Sequence, residues 1–206
     1  MSIVLSLQGC MAVGKTTAVN YIRNNATYVN ISYEINTDII EQVKSRHLDK
    51  NTFEDYIEIQ KLWIQKELGR WEKEQKYDCS IMDFGAEEIE FYTLNYPKSI
   101  GVNWNVEDKL HDELEKLREC MPNRILYLDA SEGVLRRHKE NDKIRLRNFF
   151  EYHLKYLIPL KKEWFLGKEN VDILNVDNLT EDRVGEEVKS WIDKCINEYK
   201  VKETQF

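Results

Sequence analysis

Ile3-Val4-Leu5-Ser6-Leu7-Gln8-Gly9-Cys10-Met11-Ala12-Val13-Gly14-Lys15-Thr16-Thr17 runs from a short apolar stretch straight into the spacing G-x-x-x-x-G-K-T. Each part of that spacing meets a different need of a phosphate chain. The glycines let successive backbone N–H groups turn inward around phosphate oxygens with no Cβ in the way. Lys15 can reach the β- and γ-phosphates, and the Thr16 hydroxyl can ligate Mg²⁺. Residues 17–22 then read as a helix whose N-terminal dipole faces the anion. Strand, loop and helix stand in the order that phosphate binding needs, so residues 9–17 are all expected against a nucleoside triphosphate.

The 206 residues suit one domain, expected over 1–199, with 200–206 as a polar frayed tail. Hydrophobic residues make up 42% and charged residues 33%, a globular balance that excludes disorder as the main state. The formal net charge of −7 argues against a general nucleic-acid-binding surface. Cys10, Cys79, Cys120 and Cys195 are widely spaced and form no C-x-x-C pair. That pattern argues against a zinc site or a disulfide framework, fits a reducing cytosol, and leaves Cys10 as a small filler in the loop. No stretch is long enough to span a membrane, and the apolar start lacks the basic leader of a signal peptide. A cytoplasmic protein is expected.

Strand and helix patterns alternate along the chain. Strands are expected at 3–7, 28–33, 79–82, 124–128 and 171–176. Helices are expected at 15–24, 38–45, 53–75, 87–94, 106–120, 134–138, 146–165 and 181–199. Five short apolar strands alternating with helices imply a parallel sheet covered on both faces, with ligands at the carboxyl ends of the strands. Those ends carry Glu34 and Asp38, Asp83, Asp129, and Asp177-Asn178. Carboxylates at such an edge suit a Mg²⁺-dependent phosphoryl transferase, one holding the metal or its waters and one orienting or deprotonating an acceptor hydroxyl. Asp and Glu also end strands simply as turn and cap residues, and Asp129-Ala130-Ser131-Glu132 reads that way. Both 79–83 and 125–129 show the apolar-run-then-Asp pattern of a metal-binding strand. Asp83-Phe84-Gly85 also spells a protein-kinase triplet, but the H-R-D catalytic loop is absent.

Arg136, Arg137, His138 and Lys139, followed by Lys143, Arg145 and Arg147, form a basic stretch in an acidic chain. Phosphoryl transfer gathers charge on the equatorial oxygens of the migrating group, and a closing segment with arginines can neutralise it and exclude water. A lid over about 136–148 is the reading adopted. A solvated helix face paired with Glu132, Glu140 and Asp142 is the alternative.

With the loop, the strand-end Asp83 and the arginine segment in order, the chain resembles the P-loop nucleoside and nucleotide kinases, nearest the deoxynucleoside kinase and thymidylate kinase group. The resemblance implies a three-layer α/β P-loop NTPase fold. Its five-stranded parallel sheet would have the order 2-3-1-4-5, with helices on both faces and an arginine-bearing lid. That order would set Asp83 beside the phosphate loop, as a catalytic and metal-binding residue with Thr16. The resemblance also implies ATP and Mg²⁺, with Asp177 and Asn178 packing against adenine. An acceptor-side carboxylate after the second strand is matched loosely by Glu34 or Asp38, and a base-reading glutamine by Gln60. Phe53, Tyr56 and Gln60 lie one turn apart and could line an acceptor pocket. Asp83-Phe84-Gly85 departs from the Asp/Glu-Arg-Ser of the deoxynucleoside kinases.

The expectation is an ATP-dependent kinase of a small-molecule acceptor, a nucleoside or nucleotide first. A kinase of a non-nucleotide hydroxyl on the same fold, or a regulatory ATP-binding module without transfer, stays open. Amphipathic helices leave the oligomeric state open, a homodimer included.

Overall fold

The apolar run at the start of the chain becomes β1 (Ile3–Gly9), buried along its whole length. A computed structural model describes residues 2–142 and 149–203, with side chains through 201. After β1 come α1 (Lys15–Asn25), β2 (Asn30–Ser32), α2 (Thr37–Ser45), α3 (Phe53–Glu74), β3 (Cys79–Asp83) and α4 (Ala86–Ser99). The chain continues through α5 (Val106–Lys109), α6 (His111–Arg118), β4 (Arg124–Asp129) and α7 (Glu132–Asn141). It closes with α8 (Phe150–Tyr152), a π-helical turn (His153–Leu157), α9 (Ile158–Phe165), β5 (Val171–Asn175) and α10 (Glu181–Glu203).

The strands pair in parallel in the order β2-β3-β1-β4-β5. Period-two alternation sends each strand's side chains to two different layers. Ile3, Leu5 and Leu7 of β1, with Leu126 and Leu128 of β4, pack against Ala18, Val19 and Ile22 of α1 and Val188 and Ile192 of α10. Ile125 and Tyr127 face the other way, onto Phe91 of α4 and Phe165 of α9. A separate cluster joins α3, α4 and α6 through Tyr56, Ile64, Tyr96, Leu114 and Leu117. Gly185 lets α10 lie directly on α1, because an added Cβ would fall 2.2 Å from the Tyr21 ring.

Ser6 and Gln8 of β1 turn polar side chains into the α4 layer, and Glu87, fully buried, answers both. Gln8 Nε2 donates to Glu87 Oε1 at 2.6 Å, and the Gly85 N–H donates to the same oxygen at 3.1 Å. Removing Glu87 would strand three buried donors, each costing about 1–3 kcal/mol.

Several expected boundaries move. The second strand shrinks from 28–33 to Asn30–Ser32, because this edge strand pairs only with β3 and Tyr28 and Tyr33 lie exposed. The helix expected over 106–120 breaks into α5 and α6 at the fully buried Leu110. The helix expected to end at 94 continues to Ser99 with Pro97 inside it. Proline has no N–H to give the carbonyl four residues back. Tyr56 supplies the substitute, its hydroxyl donating to Thr93 O at 3.1 Å and to Tyr92 O at 2.8 Å. The closing helix runs past 199 to Glu203. Among the described residues no helix is long and apolar enough to cross a membrane. All four cysteines are buried and unbonded.

Candidate active site

The phosphate loop hangs from the carboxyl end of β1 between β3 and β4, with Leu7 level with Asp83 and Gly9 level with Leu128. Gly9 has φ 139°, and a Cβ there would lie 2.5 Å from Leu128 O, so only glycine lets the loop start this close to β4. Ala12 also adopts a positive φ, 70°. Lys15 Nζ donates to Gly9 O at 3.1 Å and Cys10 O at 3.3 Å, and lies 4.1 Å from the Phe84 ring centroid. Desolvation, then the neighbouring Lys161 ammonium, push the Lys15 pKa down to about 8, against the pull of Asp83 and Glu88. Cys10 Sγ lies 3.6 Å from Tyr127 Oη beneath the loop.

The loop opens into a cavity of ≈ 1010 Å³. At one end stand Val176, Leu179 and Val184, with Asn20 and Glu181. At the other stand Tyr56, Ile59, Gln60 and Trp63 of α3, Ile89, Tyr92 and Tyr96 of α4, and Tyr152 and His153. Lys15, Asp83, Glu34, Glu88 and Lys161 lie on the same cavity. The spacing 56-59-60-63 is one face of a helix, which is why α3 presents four consecutive contacts to the recess. Gln60 Oε1 accepts from Thr93 Oγ1 at 2.8 Å, which leaves its amide nitrogen as the end it can offer a ligand. Burial pushes the His153 pKa down to about 4, so the ring is neutral at physiological pH, with Nδ1 3.5 Å from Tyr92 Oη.

Of the two carboxylates expected after the second strand, only Glu34 lines the cavity. Glu34 is open to the cavity mouth as a residue, but protein crowds its carboxyl. Desolvation raises its pKa, opposed by Asn36, Arg70 and Lys15. Asp38 sits in the first turn of α2, more than half exposed, and pairs with Lys66 of α3. Asp83 ends β3, and its Oδ1 is buried with no hydrogen-bond partner among the described residues. Asp129 pairs with Lys162 at 2.7 Å, off the cavity lining. Phe84 takes φ 58°, a left-handed conformation costing on the order of 1–3 kcal/mol for such a residue. Arg70 of α3 holds it there. Its guanidinium donates to Phe84 O at 2.8 Å, Asp83 O at 3.3 Å and Ser32 O at 2.7 Å, tying the ends of β2 and β3 together.

Other expected site residues lie elsewhere. Phe53 packs on Trp104 with ring centroids 5.8 Å apart, one turn short of the recess. Tyr56 and Gln60 reach the recess. Asp177 accepts the Ser131 N–H at 2.7 Å, tying β5's end to the start of α7, so Leu179 rather than Asp177 or Asn178 borders the cavity. On α7 the buried Val134 and Leu135 set the inward face, which carries His138 and Asn141 to the cavity. Arg136 and Arg137 therefore point away. Arg136 grips both oxygens of Glu151 and also Glu132. His138 Nδ1 donates to Ala12 O at 2.9 Å, joining α7 to the phosphate loop. Arg145 and Arg147 lie outside the described residues.

The sequence reading missed Glu88, Lys161, Trp63 and His153 on the cavity, and Arg70 behind it. Their spacing matches ordinary amphipathic helix faces. Only the lysine buried at 5% exposure and the glutamate at 4% stand out, and burial is a property of the fold.

Glycine loop, parallel sheet order and strand-end carboxylate together are the P-loop NTPase fold. The thymidylate kinase from Candida albicans has a similar structure, with TM-score 0.60 over 95% of this chain and 93% of that one, at 12% sequence identity. At that identity the likeness establishes the fold. No family model matches the chain, and no curated protein sequence does.

The residues present fit a Mg²⁺ ion that arrives with a nucleotide. Among the described residues no three His, Cys, Asp or Glu side chains cluster as a metal cage. Asp83, with an unpartnered buried oxygen, and Thr16 are donors of the sparse kind that Mg²⁺ takes when phosphates and waters complete its shell.

Proposed function

We propose that this protein is an ATP-dependent phosphotransferase that moves the γ-phosphoryl group onto a hydroxyl or phosphate oxygen of a small, flat-bodied acceptor, a nucleoside or nucleotide first among the candidates. The observation that carries this reading is the single cavity in which the phosphate loop and an aromatic-walled recess meet at Lys15 and Asp83. Loop amides and Lys15 would bind the β- and γ-phosphates, and Val176, Leu179 and Val184 offer apolar surface to the adenine. Thr16 and Asp83 would hold Mg²⁺, which when bound neutralises charge on the β- and γ-oxygens.

Tyr56, Trp63 and Tyr92 give the recess flat walls, and Gln60 a hydrogen-bonding edge. The acceptor oxygen bonds to the γ-phosphorus as the bond to the β–γ bridging oxygen breaks, and that electron pair leaves with ADP. Where the acceptor is a hydroxyl, Glu34 takes its proton, desolvation having raised the pKa of its carboxyl. Phe84, standing where deoxynucleoside kinases carry arginine, favours the second reading, a non-nucleotide hydroxyl acceptor.

Labelled ATP incubated with nucleosides, their monophosphates and a set of sugar and antibiotic alcohols tests the proposal. Label on one acceptor, lost in Lys15→Ala, is the expected result. Label released only as inorganic phosphate with every compound would replace the kinase with a hydrolytic or regulatory module.

A further inference from the structure

Lys161 neither binds the metal nor moves the acceptor proton in that reaction. Resting on the nucleotide-binding reading, we propose that Lys161 is a second phosphate cation, closing with Lys15 on the terminal phosphoryl group of a bound nucleoside triphosphate.

Its placement is specific. Lys161 comes from α9, far from the loop in sequence, yet its Nζ lies 3.4 Å from Gly9 O, the oxygen that Lys15 Nζ contacts at 3.1 Å. Two ammonium groups thus converge on one carbonyl at the mouth of the phosphate loop. Phe84 lies under both, with its ring centroid 4.1 Å from Lys15 Nζ and 4.7 Å from Lys161 Nζ. Glu88, equally buried, fixes Lys161 through a 2.7 Å ion pair.

The helix is also phased for this. The π-helical turn at His153–Leu157 inserts one residue ahead of α9, rotating α9 by about 100° relative to a continuous α-helix. In the resulting register Lys161 faces the cavity and its neighbour Lys162 faces Asp129.

A salt bridge serving only the core would need no second lysine beside it. Lys161 and Lys15 repel each other across a desolvated gap, and Asp83 and Glu88 offset that repulsion for Lys15. An anion between the two ammonium groups relieves it, and the phosphate loop identifies that anion as the outer phosphate. Lys161 donates hydrogen bonds there and gives up no proton.

The test compares ADP with the β,γ-imido analogue of ATP, both with Mg²⁺, by calorimetric titration, so that the terminal phosphate alone is read. Lys161→Met/Glu88→Gln removes both charges at similar volume, and Lys161→Gln removes the cation alone. In each, the preference of the wild-type protein for the ATP analogue should fall by about tenfold or more, with ADP affinity changed less than about twofold. Lys161→Arg should restore most of the preference. Equal losses on both nucleotides, or an unchanged preference, would make the pair a structural strut and overturn the proposal. A wild-type protein that bound neither nucleotide would overturn the kinase reading and the clamp together. Loss of the preference in the variants supports the clamp even if no acceptor is phosphorylated.

Discussion

At the proposed donor end of the cavity, a run of consecutive residues from Gly9 to Thr17 makes the phosphate site. At the proposed acceptor end, Glu34, Gln60 with Trp63, Tyr92 and His153 come from four separate stretches of chain. The donor end works through backbone amides, and its geometry is set by φ angles that glycine spacing announces. The acceptor end works through side chains, and its shape depends on how α3, α4 and the π-helical turn pack. Phosphates look alike from protein to protein, so a local motif suffices for them. An acceptor is particular, and the surface that reads it is assembled by tertiary packing.

The largest effect should follow removal of the donor cation. Lys15→Ala is expected to lower phosphoryl transfer on the order of 10³-fold, measured with labelled ATP at saturating acceptor. Activity near wild type would detach the loop from the chemistry. Glu34→Gln should lower kcat on the order of 10²-fold with the KM for ATP little changed. An unaltered kcat would hand the proton to another group.

Lys15 also gives the donor end a pH signature. Its pKa in the free protein is about 8, and phosphate binding favours the charged form, so ATP binding must take up a proton above pH 8. ATP affinity should weaken about tenfold from pH 7 to pH 9, and Lys15→Met should flatten that dependence. Stability follows the opposite direction. A lysine whose folded pKa lies below its unfolded value binds fewer protons when folded, so its cost is full below pH 8 and relieved between about 8 and 10.5. Lys15→Met should therefore melt a few degrees higher than wild type at pH 7; a lower melting temperature would contradict this.

At the acceptor end, Trp63→Ala should raise the acceptor KM about fivefold and leave the KM for ATP alone. A matching rise in both would mean that the two ends are not separable. The smallest effect is expected at Asp38, which the sequence put forward beside Glu34. Asp38→Asn should change turnover less than about twofold, since its carboxylate meets Lys66 at the surface.

Arg136 and Glu34 show how far sequence alone reaches. A cluster of arginines after the fourth strand is visible in the chain, but which of them face the cavity depends on the phase of α7, fixed by Val134 and Leu135 meeting the core. Glu34 and Asp38 are four residues apart and equivalent as letters. Glu34 lies in the loop after β2 and Asp38 in the first turn of α2, and that places only Glu34 on the cavity. Local spacing decided the phosphate loop and the alternation of strands and helices, because each rests on backbone conformation and short-range periodicity, whereas the choice of Asp83 over Asp129 rested on the order of the strands in the sheet. Packing alone decided the register that buries Lys161 beside Glu88, the Arg70 brace behind Phe84 and the aromatic recess of α3 and α4, because those contacts join residues far apart in the chain.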